Sequence, residues 1–380
     1  MTRFFLVMTL YVIVINALDI IIVGDKGVFL TRLRSLNQVC FLTLSEFACI
    51  CYLLLKFNKY HYSFDDAMGI IIKAAVVQGV CAILAFLLPP IREIFMMFGD
   101  RTLYSNTFFL ERRGYGFSMI LIDTFGYGMG LMAGYVILYK WKRGFDKYLF
   151  FSLLLILFTI VVNARTGILV FLIAISVKVL YCNNMKTFFK KFLPVSICIV
   201  LIYLFLPKLL EFGVKSENNT ISWVSASFMS ILEYAKDGSS SDSIEDFAFL
   251  STFINLPSNP FELVFGAGHH VYDTEATMGF RTDIGYFNMF WELGIFGSFV
   301  MLGTMFLFMI KPFFISKNIS IKQIALFNTI SYFLVQMKAI LIGYNPGVFV
   351  NYLVAFTLYY YLWKETVHNN YFEKIYYAEK

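Results

Sequence analysis

Three short runs in this 380-residue chain bring together residue types that do chemistry. Arg281-Thr282-Asp283-Ile284-Gly285-Tyr286 sets a guanidinium and a carboxylate two positions apart, just ahead of a long apolar stretch. Upstream of it, Asn259-Pro260-Phe261-Glu262-Leu263-Val264-Phe265-Gly266-Ala267-Gly268-His269-His270 offers a turn signal, a short apolar segment and two glycines before a histidine pair. Glycine at 266 and 268 would let a ligand approach the main chain closely, and the same spacing also suits an ordinary turn. Arg165-Thr166-Gly167 lies between two further apolar runs. A guanidinium is a planar fork that grips phosphate or carboxylate at two points, so the chemistry these runs point to is anion binding. His269 and His270, taken with Asp273 and Glu275, lack an established metal-ligand spacing, and no metal or other cofactor is expected.

The elements that must position these residues are membrane helices. Hydrophobic residues make up 59% of the chain, charged residues only 15%, and the mean hydropathy is +0.71, far from the balance of a soluble domain. The fold class expected is all-α: a polytopic integral membrane protein of about ten transmembrane helices. Apolar windows run near 4–23, 39–57, 67–88, 117–139, 148–164, 167–181, 192–206, 286–310, 323–343 and 348–363. The pair around Asn163 to Gly167 reads as two helices with a tight turn, because one continuous helix would leave Arg165 in lipid. This divides the chain into helices one to seven over 1–206, a large periplasmic loop over 207–285, and helices eight to ten with a cytoplasmic tail over 286–380.

Lysines mark the cytoplasmic side: Lys140, Lys142 and Lys147 with Arg143, then Lys186, Lys190 and Lys191, then Lys311, Lys317 and Lys322 each sit in a short connection. Both termini then lie inside. Only Arg3 and Arg143 join them, whereas Arg32, Arg34, Arg92, Arg101, Arg112, Arg113, Arg165 and Arg281 fall outside. Orientation needs only positive charge, so this bias suggests an outer face built to hold an anion, although pairing with Glu93, Asp100 and Glu111 or with lipid headgroups would use the same residues. The net charge of +6 follows from these topology signals and implies no nucleic-acid partner. The six cysteines avoid the large loop and imply no disulfide framework. Glu292, just inside an apolar run, is costly there unless it faces a cavity or a partner.

In the order of its features the chain resembles the O-antigen polymerases of the Wzy type and their relatives the O-antigen ligases. Arg165-Thr166-Gly167-Ile168-Leu169 looks like the ligases' motif of arginine, three residues and leucine, and Phe265-Gly266-Ala267-Gly268 is similar to the signature before the loop's return to the membrane. The ligase histidine position, nine residues and one polar position before Gly294-Ile295-Phe296-Gly297, holds Asp283 here, which looks more like the polymerase branch. The likeness spans roughly 148–310.

The resemblance implies a glycosyltransferase of the bacterial inner membrane that joins undecaprenyl-pyrophosphate-linked oligosaccharides at the periplasmic face. Its implied partners are that substrate, membrane lipid and a chain-length regulator protein. Such a reaction needs charge compensation on the leaving pyrophosphate and a group to orient or deprotonate the acceptor hydroxyl. Arg165 and Arg281 are the candidates for the first and Asp283 for the second. A neighbouring guanidinium makes Asp283 a weak base, so His269 and His270 stand in reserve. Arg112, Arg113, Gly266, Gly268 and Tyr286 complete the expected substrate contacts. Two rivals remain: a lipid-linked oligosaccharide flippase or other transporter, in which Asp19, Lys73, Asp123 and Lys338 would mark the route, and an O-antigen ligase.

Overall fold

A computed structural model describes residues 2–24, 43–97, 116, 123–140, 147–163, 166–181, 215, 256–268, 285–336 and 346–378. These residues are mostly helical, with no strand among them. In chain order the helices are α1 (Thr2–Ile22), α2 (Thr43–Lys59), α3 (Phe64–Leu87), α4 (Pro89–Met96), α5 (Asp123–Tyr135, widening into a looser turn over Val136–Lys140), α6 (Lys147–Asn163), α7 (Thr166–Leu180), α8 (Pro260–Phe265), α9 (Gly285–Ile315), α10 (Ile319–Val335) and α11 (Pro346–Ala378). Two of them, α3 and α9, are long and apolar enough to cross a membrane. Shorter apolar stretches run over Leu6–Ile22, Phe125–Tyr139, Lys147–Val161 and Thr166–Leu180. The seventh expected window, 192–206, lies outside the described residues, as does most of 207–285. The last window was expected to end at 363, but α11 continues as helix to Ala378.

The chain divides into two compact units that do not follow chain order, with the boundary inside α3: Met1–Ile71 with Phe253–Lys380, and Ile72–Thr252. In the first unit, α9 packs on α8, α10 and α11, α1 touches α2, α8 and α9, and α2 packs on α11. Helix α1 is apolar on its outer side, where Leu6, Val7, Leu10, Ile13, Val14 and Leu18 are exposed, and carries polar Asn16 and Asp19 on its buried side. That is the reverse of a helix on a water-soluble core. Asn328 and Asn351 join α10 to α11, the Asn351 amide donating to Asn328 Oδ1 at 2.8 Å and Asn328 Nδ2 to the Asn351 carbonyl at 3.1 Å. Near the middle of α11, Tyr360 donates to Asn58 Oδ1 and Tyr361 to the Tyr62 carbonyl, both at 2.8 Å. The turn they hold is closed by a capping box in which Ser63 and Asp66 bond each other's backbone and side chain.

In the second unit α5 runs between α6 and α7 and is buried almost all round, from Phe125 to Tyr139. Its glycines explain how it fits. A Cβ on Gly130 would lie 2.5 Å from the Gly167 carbonyl oxygen, and one on Gly167 would strike the Gly126 carbonyl, so α5 and α7 meet backbone to backbone. Two glycines four residues apart against a third is the small-residue packing that lets apolar helices associate without a hydrophobic driving force. Asn163 ends α6 and Thr166 begins α7, as the tight-turn reading requires. After α3, Leu88 is extended and Pro89 opens α4. Arg92 then folds back, donating from Nε to the Ala85 carbonyl at 3.0 Å and from Nη2 to the Phe86 carbonyl at 3.2 Å. One of the eight arginines expected on the outer side is thus engaged with helix-end carbonyls, where a cation is favourable.

Candidate functional site

The first unit contains a helix break that the sequence marks only by glycine. Within α9, Gly294 has φ 66° and ψ −178°, a conformation open essentially to glycine alone. Breaking the ladder there deprives the carbonyls just before it of their usual partners four residues on, and in an apolar surrounding each must be satisfied from elsewhere. The segment after α8 does this. Ala267 donates its N–H to the Trp291 carbonyl at 2.8 Å, and Gly268 donates to the Glu292 carbonyl at 3.1 Å. Tyr11 of α1 supplies the next donor, its hydroxyl lying 3.2 Å from the Leu293 carbonyl and 2.9 Å from that of Phe265. From beyond the break, Ser298 Oγ donates to the Met289 carbonyl at 3.0 Å.

Local sequence explains why the segment reaches this position. Asn259 caps α8, its side chain accepting from the Phe261 N–H at 2.9 Å, and Pro260 occupies the first helical position. Gly266 ends α8 with φ 87°, and a Cβ there would sit 2.5 Å from the Glu292 oxygen and from the Gly294 nitrogen. Gly268, φ 70°, lies against Asn16 of α1, whose Nδ2 donates to the Gly268 carbonyl at 3.0 Å. Each of the three elements meeting here contributes a buried carboxylate: Asp19 from α1, Glu262 from α8 and Glu292 from α9.

The expected site residues fall into two groups. Arg112, Arg113, Arg165, His269, His270, Arg281 and Asp283 lie outside the described residues. Gly266, Gly268 and Tyr286 are described. The main-chain approach expected at the two glycines is made by the protein itself, α9 against Gly266 and α1 against Gly268, so the space a ligand would use is filled by backbone. The Tyr286 hydroxyl donates to the Phe333 carbonyl of α10 at 2.7 Å, which ties the start of α9 to its neighbour. Glu292 is buried among protein elements, as the cost of an exposed carboxylate in an apolar run demands. Sequence reasoning missed Tyr11, Asn16 and Ser298; the local sign was Asn16 and Asp19, three apart on one face in the apolar second half of α1.

The two described residues that flank 269–284, the stretch carrying His269, His270, Arg281 and Asp283, are both placed by α9. Gly268 is bonded to Glu292, and Gly285 is the first residue of α9, seven positions away, or about 10 Å along the axis at ~1.5 Å per residue. Among the described residues no group of three or more His, Cys, Asp or Glu is arranged to hold a metal ion. No family model, curated protein or solved structure matches the chain.

Proposed function

We propose that the protein is a multi-pass glycosyltransferase of the bacterial inner membrane, with both termini cytoplasmic, that polymerises undecaprenyl-pyrophosphate-linked oligosaccharide repeat units at the periplasmic face. The observation that carries this reading is the junction of α8 with the broken α9. Two motifs whose order gives the likeness to O-antigen polymerases, Phe265 to Gly268 and Gly294 to Gly297, are in backbone contact although twenty-five residues separate them. Four of the residues with the right chemistry, His269, His270, Arg281 and Asp283, lie in sequence between Gly268, which is bonded to α9, and Gly285, where α9 begins. The inverted polarity of α1 and the lengths of α3 and α9 support membrane insertion.

In the reaction, an acceptor sugar hydroxyl forms a bond to the anomeric carbon of the donor chain. The bond from that carbon to the pyrophosphate oxygen breaks, and undecaprenyl pyrophosphate leaves with the electron pair. Arg165 and Arg281 would compensate the growing negative charge, and Asp283 would orient the hydroxyl or take its proton. Arg112 and Arg113 would hold further substrate phosphate or acidic sugar, and Tyr286 would help fix the start of α9.

Asp283→Asn tests the reading. It keeps the shape but loses charge and basicity, so purified protein given lipid-linked repeat units should capture substrate normally and build little polymer. Wild-type protein that elongates no chain would end the polymerase reading. A deletion strain offers the cellular counterpart: a single repeat unit retained without long chains supports polymerase, and loss of every repeat supports the flippase.

A further inference from the structure

We propose that the corner where α9 passes into α10, Lys311 to Lys322, is a binding surface for the headgroups of anionic phospholipids. The proposal rests on the membrane insertion in the reading above and not on polymerase activity.

This corner mixes side chains that no single solvent suits. Helix α9 ends at Ile315 and α10 begins at Ile319, so the connection is short. It is also bonded to itself: Asn318 Oδ1 accepts from the Ser320 N–H at 2.9 Å, and Ser316 Oγ accepts from the Asn318 N–H at 3.0 Å. Its shape therefore needs no outside partner. On this ordered corner Phe314 is 72% exposed, Ile315 and Ile319 are exposed as well, and Lys311 and Lys317 stand among them. Water is a poor surrounding for the ring and the branched chains, and hydrocarbon a poor one for the ammonium groups. The headgroup layer takes both, with the apolar side chains at the acyl boundary and the lysines among phosphates.

The sign of the headgroup follows from the missing carboxylates. Between Glu292 and Glu365 the chain has no Asp or Glu, so α9 beyond its break, the turn and all of α10 offer these lysines no acidic partner. Lys322 instead holds its Nζ 5.7 Å from the centroid of the Phe313 ring, a contact that steadies an ammonium without neutralising it. Three uncompensated cations attract a headgroup of net negative charge, and a zwitterionic one brings its own cation to oppose them. The turn from α2 to α3 in the same unit supplies the contrast. There Lys56 and Lys59 lie over the Tyr52 and Tyr60 rings at 5.1 and 5.9 Å, but Asp65 and Asp66 follow in the first turn of α3. That corner is balanced.

The test titrates full-length protein in neutral detergent micelles with labelled phosphatidylglycerol and, separately, labelled phosphatidylcholine. Wild type should bind phosphatidylglycerol at least about 10-fold more tightly, two engaged lysines at about 5-fold each being sufficient. Replacing Lys311, Lys317 and Lys322 together by glutamine should remove the preference, and replacing them by arginine should keep it. Lys56→Gln with Lys59→Gln should leave it within about twofold. Soluble glycerol phosphate, which has the charge without the chains, should not compete at the same concentration. Equal binding of the two lipids, an unchanged preference in the glutamine variant, a matching loss in the Lys56 and Lys59 variant, or full competition by glycerol phosphate each overturns the proposal. If the glutamine variant loses helix by circular dichroism, salt supplies the same reading on wild type. At about 1 M, where the screening length is about 3 Å, the preference should fall, and one that survives overturns the proposal. A protein that stays in solution without detergent would end the membrane reading and this proposal with it. A detergent-dependent protein with no lipid preference overturns the proposal alone, and no arm of the assay depends on polymer being made.

Discussion

Replacing Gly266 by alanine puts the junction of α8 and α9 under direct load. The residue has φ 87° and ψ 164°, a region closed to alanine, and holding a side chain there costs about 1–3 kcal/mol. The new methyl would also lie 2.5 Å from both the Glu292 oxygen and the Gly294 nitrogen. These are backbone atoms that cannot turn aside, so overpacking adds about 1–3 kcal/mol more. The sum, about 2–6 kcal/mol, is a large share of the ~5–15 kcal/mol by which a protein is stable. Gly303→Ala supplies the contrast. It lies within α9 with nothing within 4 Å of its added Cβ, and should gain up to ~1 kcal/mol in helix propensity. Equilibrium unfolding in mixed micelles would read both. Gly294→Ala should match Gly266→Ala, and the double variant should cost less than the sum, because the shared contact is forced apart only once while the strain of each positive φ still adds. A Gly266→Ala protein as stable as wild type would refute the reasoning, since neither the positive φ nor the close contact could then be real.

In the second unit, Gly167→Ala should destabilise by several times the effect of a surface change, because its Cβ meets the Gly126 backbone and Ile160; a normal unfolding midpoint would remove the glycine contact. Arg165→Lys should abolish chain elongation as fully as Arg165→Ala, a point charge being unable to reproduce a bidentate contact, and normal chain lengths from well-expressed Arg165→Lys protein would take Arg165 out of the site. Reporter fusions after Lys147, Lys191 and Lys317 should report a cytoplasmic location only, and a periplasmic signal at any of them would overturn the topology.

The sequence shows its helices where composition alone suffices. The pair α6 and α7 ends and begins within two residues of the apolar windows, since burying Arg165 in a single helix was too costly to consider. Of the two glycines near the start of α9, Gly294 and Gly297, Gly294 is where the helix breaks. Glycine at 266 and 268 announced a close approach to main chain but could not say by what. A missing side chain records space without naming the occupant, which here is the protein's own backbone. Arg92 misled in the same way: its location beyond α3 is as expected, yet its fork engages the Ala85 and Phe86 carbonyls, a local use that a count of outer arginines cannot see. Tyr11 and Asn16 left almost no trace. Their partners lie some 250 positions away, and no periodicity reports a contact between elements so distant in sequence.

That separation has a consequence for biogenesis. Asn16 and Gly268 are 252 residues apart. At ~5–20 residues per second of synthesis, the ribosome needs about 10–50 s to deliver the second after the first. Throughout that interval α1 has left the ribosome with an amide and a carboxylate on the face that will later be buried, and with no return segment to meet them. Helix α1, made long before the segment that bonds it, is thus locked late, and the nascent chain must shelter its buried polar groups while every intervening helix is laid down.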